Sequence, residues 1–518
     1  MTFRAFFTIT TLFTLVVCML LQLFINTSVE NITSTLVIAL ATIITMAYLY
    51  WNDAYSRTPI SALVLIGLLF TGLFGALLFQ TLYWNPVTKY LHNPVLTFYK
   101  LLFYISISIF SHYIYFSLTD SQRPFTKNRI ISLKSILDKL GLYDIPSVYT
   151  VWIVSIIGVM SLILGKLIPG ELGRAIFNFK FLAWFPFFIV IYIHKFGNEY
   201  ASPKLQHGAI AIFFCIITFL GIAFNSRGLI VAGLVNLFLL ATVVLLSNKK
   251  KHHFSFYIKL SCLFIILLGL LKPFSDFSDA MLIARSERGS ISPIQMLTST
   301  FDIYLNSSND ELVDNEKFIE NKIYSNYDED YIENGIITRF VLTKFHDNAY
   351  FYASSLSEKG EEEIKKHVTS KILAIMPQPL IDMLNIDLNK MEHINSTTDI
   401  LVHETTGRRL GGLKVPSTFV DIEVTFGLFS PLIFFAMSFV FFFMIDLYSK
   451  VDNKYGLIVS FPFFAIAARY VFFQLPVYGF QGIVNFLVRG FFVDVLIFCA
   501  IMFLFSFAFK PFIKYTKV

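Results

Sequence analysis

The feature that most constrains this chain is a succession of apolar runs, each near the roughly 20 residues a helix needs to cross a bilayer. They fall near 5–25, 34–51, 61–82, 97–117, 148–168, 175–194, 208–224, 229–247, 254–274, 424–448, 457–475 and 490–509. Backbone N–H and C=O groups in hydrocarbon must be satisfied within their own segment, so runs of this length read as helices. The expectation is an all-α polytopic membrane protein of about 12 transmembrane helices. Composition agrees, with 56% of the 518 residues hydrophobic and 15% charged, against roughly 25% charged in soluble domains. A cytosolic enzyme, a disordered chain and a disulfide scaffold are excluded. Cys18, Cys215, Cys262 and Cys499 lie in apolar runs without CxxC spacing, so neither zinc nor disulfides are implied. Arg4 precedes the first run as in a signal peptide. No small-residue cleavage pattern follows, so the run reads as a retained span.

Lys and Arg in short loops set orientation. With Met1 in the cytoplasm, the inner side receives Arg123, Lys127, Arg129, Lys134 and Lys139, then Lys249, Lys250 and Lys251. It also receives Lys450, Lys454, Lys510, Lys514 and Lys517, while the outer loop 26–33 has neither Lys nor Arg. Both termini are therefore expected in the cytoplasm. Three parts follow: a bundle of about nine spans in 1–274, a polar segment 275–423, and about three spans in 424–518. The polar segment holds 25 Asp and Glu against 14 Lys and Arg, a net charge of −11 (14 − 25), and falls outside. Apolar stretches at Ile294–Tyr304 and Ile372–Leu388 make it a mostly helical extracytoplasmic domain. Its acidity argues against nucleic acid. No internal repeat, Walker A motif, GxGxxG or HExxH is present, so neither ATP-driven transport nor a metal site is implied.

Ionisable groups at membrane depth are costly, and each is a functional hypothesis. Arg227 opens a span in Ser226-Arg227-Gly228 and either reaches lipid headgroups or faces a cavity. Arg469 lies inside the run 457–475, where a salt bridge to Asp494 competes with a substrate role, and Arg489 opens the last span. The polar segment adds Arg285 and Arg288, one helical face apart, then Arg339, Arg408 and Arg409. Each alone reads as a solvated charge. Together they suit a dianionic ligand such as pyrophosphate, because the guanidinium fork binds phosphate bidentately. His403 is the candidate base for a hydroxyl nucleophile, with His346 in reserve; Asp421 and Glu423 are the carboxylate alternatives. Tyr324, Tyr327, Tyr331, Tyr350 and Tyr352 either stack sugars or form core.

The chain resembles the O-antigen polymerases of the Wzy type and the wider oligosaccharide repeat-unit polymerases. The resemblance lies in many spans with one large late external loop, in Ser226-Arg227-Gly228, and in Val488-Arg489-Gly490. The run Val415-Pro416-Ser417-Thr418-Phe419-Val420-Asp421-Ile422-Glu423-Val424-Thr425-Phe426-Gly427 into the span after that loop also carries it. The loop motifs of Arg at fixed spacing to Gly, described for some members, are not found at Arg227 or Arg409. The resemblance implies a metal- and cofactor-independent glycosyl transfer at the external face of a bacterial inner membrane. Donor and acceptor would be oligosaccharides on undecaprenyl diphosphate. The polymer of O-antigen or a similar lipopolysaccharide or surface polysaccharide would grow there, with a chain-length regulator and a flippase as further partners. The rivals are an O-antigen ligase, a flippase or exporter of lipid-linked oligosaccharide, and a membrane receptor whose external domain only binds.

Overall fold

The computed structural model describes residues 1–119, 133–196, 203–269, 271–285, 291–306, 327–332, 334–388, 390, 394–412, 414–452, 456–463, 467–472 and 475–508. Seven helices before the polar segment are long and apolar enough to cross a membrane: α1 (Phe3–Ile25), α2 (Val29–Trp51), α3 (Pro59–Leu82), α4 (Pro94–Leu118), α5 (Val148–Leu167), α6 (Ala175–Lys195) and α7 (Lys204–Ala223). Helices α8 (Arg227–Ser247) and α9 (Phe254–Gly269) follow. Their apolar stretches, Ala232–Ser247 and Phe254–Leu263, are shorter. The polar segment carries α10 (Leu271–Ala284), α11 (Pro293–Asn306), α12 (Thr343–Ala353), α13 (Glu358–Leu373) and α14 (Thr397–Thr406). Next come α15 (Thr418–Phe426) and α16 (Ser430–Asp446), broken at Gly427, whose φ is 52°. Together they make an eighth long apolar stretch, and α17 (Phe480–Leu504) makes the ninth among the described residues. The chain is an all-α, multi-pass membrane protein.

Two expected helices take other forms. The run 457–475 opens as a strand: β1 (Ser449–Asp452) pairs antiparallel with β2 (Gly456–Val459). Further along, Ala467–Phe472 winds in a wide π-type turn. Pro462 and Pro476 flank that turn and remove backbone donors that a straight helix would need. The stretch Ile372–Leu388 is divided between the end of α13 and a short helix Gln378–Met383, with Pro377 at the break.

Helix α3 contains the distortion that ties the polar segment to the bundle. Its middle, Phe70–Phe74, winds as a π-bulge, which loosens the local carbonyl pattern. The Leu342 N–H donates to the Thr71 carbonyl at 2.7 Å, and the Thr343 hydroxyl donates to the Gly72 carbonyl at 2.9 Å. The start of α12 is thus hydrogen-bonded to the middle of a spanning helix. At Gly67 an added Cβ would stand 2.6 Å from the Phe472 carbonyl oxygen, so only glycine lets the wound segment approach so closely.

Toward the end where α3 begins, a buried polar knot joins α2, α3, α4 and α16. The Asp446 carboxylate accepts from the Ser61 N–H (3.0 Å), the Ser61 hydroxyl (2.6 Å) and the Tyr115 hydroxyl (2.9 Å). Ser61 has one proton to give, and it goes to Asp446. His112 Nε2, 2.9 Å from Ser61 Oγ, is therefore the donor there. His112 Nδ1 then accepts from Tyr48, 2.7 Å away. Every member is satisfied, the condition for a charged group to be tolerated in a core.

Candidate functional site

The polar segment and the bundle meet around α4, α12 and α15. Asp347 on α12 accepts from the His92 N–H (2.6 Å), the Asn93 N–H (2.9 Å) and the Thr97 hydroxyl (3.0 Å). A carboxylate some 250 residues away in sequence thereby caps the start of α4. One and a half turns further along α4, Lys100 reaches Glu423 on α15, its ammonium 3.1 and 3.0 Å from the two carboxylate oxygens. The Tyr104 hydroxyl donates to the same carboxylate at 2.8 Å. The Tyr104 ring is fully buried and stacks on Phe419 at 4.6 Å. Lys100 also lies 5.7 Å from the Tyr350 ring. The Glu423 side chain is 23% exposed and that of Lys100 35%, so water or a substrate can reach this ion pair from one side.

Glu423 is thus the member of the expected base set with the most developed surroundings. Asp421, two residues before it, is buried and accepts from the Phe480 N–H at 3.1 Å, which fixes the start of α17. His403, on α14, lies with Nδ1 2.6 Å from the Arg408 carbonyl. A carbonyl only accepts, so Nδ1 carries the proton and the neutral ring keeps its lone pair on Nε2. That is the form a base requires. His346 is enclosed instead. Its Nδ1 is 2.8 Å from Ser417 Oγ, and burial pushes the imidazole down to about 3. Its Nε2 has no described partner and belongs to a residue lining a cavity of about 10 Å³ with Leu68, Tyr104, Ser108 and Phe419. That volume holds about one water molecule. The space beside the His346 ring is therefore water-sized.

The arginines engage separate surroundings. Arg227 donates to Ser278 at 2.9 Å. Arg339 pairs with Glu329 at 2.9 Å and lies 5.9 Å from the Phe345 ring. Burial holds the Glu329 carboxyl above its usual range, against the opposing pull of the Arg339 guanidinium. Arg408 is half-buried, with Nη1 out of water and without a described partner, and Arg409 is exposed. Arg285 ends its helical stretch exposed, and Arg489 is exposed near the end of α17's distorted turn, Phe486–Gly490. Arg469 lies in the wound segment Ala467–Phe472. Arg288, Tyr324, Arg123, Lys127, Arg129, Lys454, Lys510, Lys514 and Lys517 lie outside the described residues. The described contacts of these guanidinium groups go to different partners, Ser278 for Arg227 and Glu329 for Arg339. The tyrosines expected as possible sugar stackers are largely core: Tyr327, Tyr331 and Tyr350 are buried, and Tyr352 packs on Tyr327 at 5.9 Å.

Lys100 was missed by sequence reasoning. Its signal was available: a lone cation a few residues into the apolar run 97–117, answered by the carboxylates Asp421 and Glu423 just before the run 424–448. Among the described residues no cluster of His, Cys, Asp and Glu has the arrangement to hold a metal ion. Comparison with protein-family profiles, curated proteins and solved structures found no match for this chain.

Proposed function

We propose that this protein is a glycosyltransferase that polymerises undecaprenyl-diphosphate-linked oligosaccharide repeat units at the external face of a bacterial inner membrane. In this proposal the chain crosses the membrane twelve times, with both termini cytoplasmic and the segment 275–423 outside. The observation that carries it is the partly exposed Lys100–Glu423 pair, held by buried Tyr104, where that segment meets the bundle. The resemblance of the run Val415–Gly427, which contains Glu423, supports the substrate class.

The chemistry asked of the set is modest, because diphosphate is an activated leaving group. Glu423 takes the proton of an acceptor sugar hydroxyl as its oxygen attacks the anomeric carbon of the donor chain. The bond from that carbon to the diphosphate oxygen breaks, and undecaprenyl diphosphate leaves with the electron pair. Lys100 and Tyr104 hold the carboxylate in place through their hydrogen bonds. His403 is the second base in this scheme, and Arg408 beside it is the cation for the departing phosphate. An eight-arginine grip on the diphosphate is not required.

Purified protein in proteoliposomes, supplied with lipid-linked repeat units and no nucleotide or metal, should lengthen them. Glu423→Gln should lower the rate by about 10²–10⁴, the usual worth of a general base, while the protein still inserts. His403→Gln run beside it separates the two bases. Elongation near the wild-type rate in both variants would refute the assignment. Transfer of single units across the bilayer without lengthening would indicate a flippase.

A further inference from the structure

Loop 83–93, between α3 and α4, combines exposed aromatic rings with a backbone that disfavours them. Trp84 has a φ of 57° and Tyr90 a φ of 64°. Bulky residues seldom adopt the left-handed region, and glycine usually fills such positions. Trp84 sits at the position that ends α3: the Trp84 N–H donates to Thr81 and the Asn85 N–H to Gln80. Tyr90 lies inside the turn closed by the Leu91 N–H to the Thr88 carbonyl, which follows the turn closed by Lys89 to Pro86. Neither ring is spent on the core, for Trp84 is 63% exposed and Tyr90 47%. His92 is also exposed and stacks on Phe351 of α12, with centroids 4.1 Å apart and planes 16° from parallel.

The conformation is held from beneath by groups of the bundle and of the polar segment. Gln22 Nε2 donates to the Asn85 carbonyl (2.9 Å), and the Val87 N–H donates to Asn31 (2.9 Å). The Tyr331 hydroxyl donates to the Val87 carbonyl (2.6 Å), and the Lys344 ammonium donates to the Tyr90 carbonyl. Asp347 takes the next N–H groups, those of His92 and Asn93. Strain kept in place by so many fixed partners marks a segment whose side chains are displayed for use.

We propose that this loop is a carbohydrate platform, on which Trp84, Tyr90 and the His92–Phe351 pair stack against pyranose rings of the acceptor glycan. This deepens the function proposed above and rests on it for the glycan's identity. The occupant follows from the surroundings. Aromatic faces suit the C–H faces of a sugar; Lys89 stands over one face of the Tyr90 ring, 4.6 Å from its centroid, so a sugar would take the other, and exposed Asp328 and Asp330 offer acceptors for hydroxyls. The second half of the loop is anchored to the polar segment through Lys344, Asp347 and Phe351. The platform also leads to the candidate base: Asn93 to Lys100 is seven residues, about 10 Å along α4.

Trp84→Gly and Tyr90→Gly test this, because glycine suits both backbones and each variant should fold at least as well as wild type. In proteoliposome elongation the double variant should raise the acceptor KM about tenfold with kcat within about twofold, the factor expected from losing two aromatic contacts. An unchanged KM in an active, folded double variant overturns the platform while leaving the polymerase assignment standing. If wild type does not elongate, the polymerase assignment fails instead, and the platform is read directly. For that, Trp51, Trp152 and Trp184 are replaced by Phe, and Trp84 fluorescence is followed with cellohexaose, maltohexaose and chitohexaose. A saturable change with any of the three supports the platform; none with all three overturns it. Quenching of Trp84 by bilayer-brominated lipid and not by aqueous iodide would place the ring in the membrane interface and also overturn it.

Discussion

Lowering the pH from 7 to 5 should cost this protein about 2 kcal/mol through His346 alone. The ring is wholly buried on α12, and burial pushes its imidazole down to about 3. In the unfolded chain it titrates near the ordinary value of about 6.5. Above that pH both states hold a neutral ring and the folded state keeps its full stability. As pH falls through the window from 6.5 towards 3, the unfolded chain takes up a proton that the folded chain refuses, and stability is lost. At pH 5 the unfolded state gains RT ln(1 + 10^1.5), about 2 kcal/mol, against about 0.2 at pH 7. The result depends on the unfolded value alone so long as the folded value stays below about 4. His346→Leu removes the titration at the cost of the Ser417 hydrogen bond, which is a constant offset across this range. Equilibrium unfolding of both proteins in mixed micelles at pH 5, 6 and 7 gives two slopes. Other groups, including Glu329 with its raised carboxyl, are common to both proteins and cancel in the difference. Parallel slopes for wild type and His346→Leu would show that the ring is hydrated or charged in the folded protein and would refute the argument.

Asp347→Ala should destabilise by about 3 kcal/mol, at roughly 1 kcal/mol for each of the three donors it strands, a low figure because His92 and Asn93 border water. Hydrogen exchange at the His92 and Asn93 amides should accelerate, and unchanged protection there counts against the cap. Asp446→Leu strands the Ser61 N–H, the Ser61 hydroxyl and the Tyr115 hydroxyl in a dry interior and should cost about 3–5 kcal/mol. Asp446→Asn should cost less; equal midpoints for the two variants in denaturant unfolding would contradict the network. Gly67→Ala pushes a methyl against the Phe472 carbonyl and should destabilise by about 1–3 kcal/mol. A wild-type melting temperature would mean that the wound segment is free to move away.

The helices could be read from the sequence because a bilayer asks for one property, sustained apolarity over about 20 residues. The same property hides what happens within a run. Val451, Ile458 and Val459 are as apolar as their helical neighbours yet pair in a hairpin, and the prolines at 462 and 476 were the local sign. Charges follow a different logic. An arginine at a membrane boundary has water, headgroups and local acceptors within reach, so its presence says little about its task. Arg227 and Arg339 each have a nearby acceptor, in Ser278 and Glu329. A lone ionisable group inside an apolar run has far fewer outlets, so it must find a partner from another run. Lys100 with Glu423 and Asp446 with Ser61 and Tyr115 are such cases, linking residues more than 300 apart in sequence. A single sequence marks both ends of such a pair by their incongruity with the run around them. Which ends meet is decided by packing, so the informative candidates in a chain like this are isolated charges within spans, taken two at a time and tested as pairs.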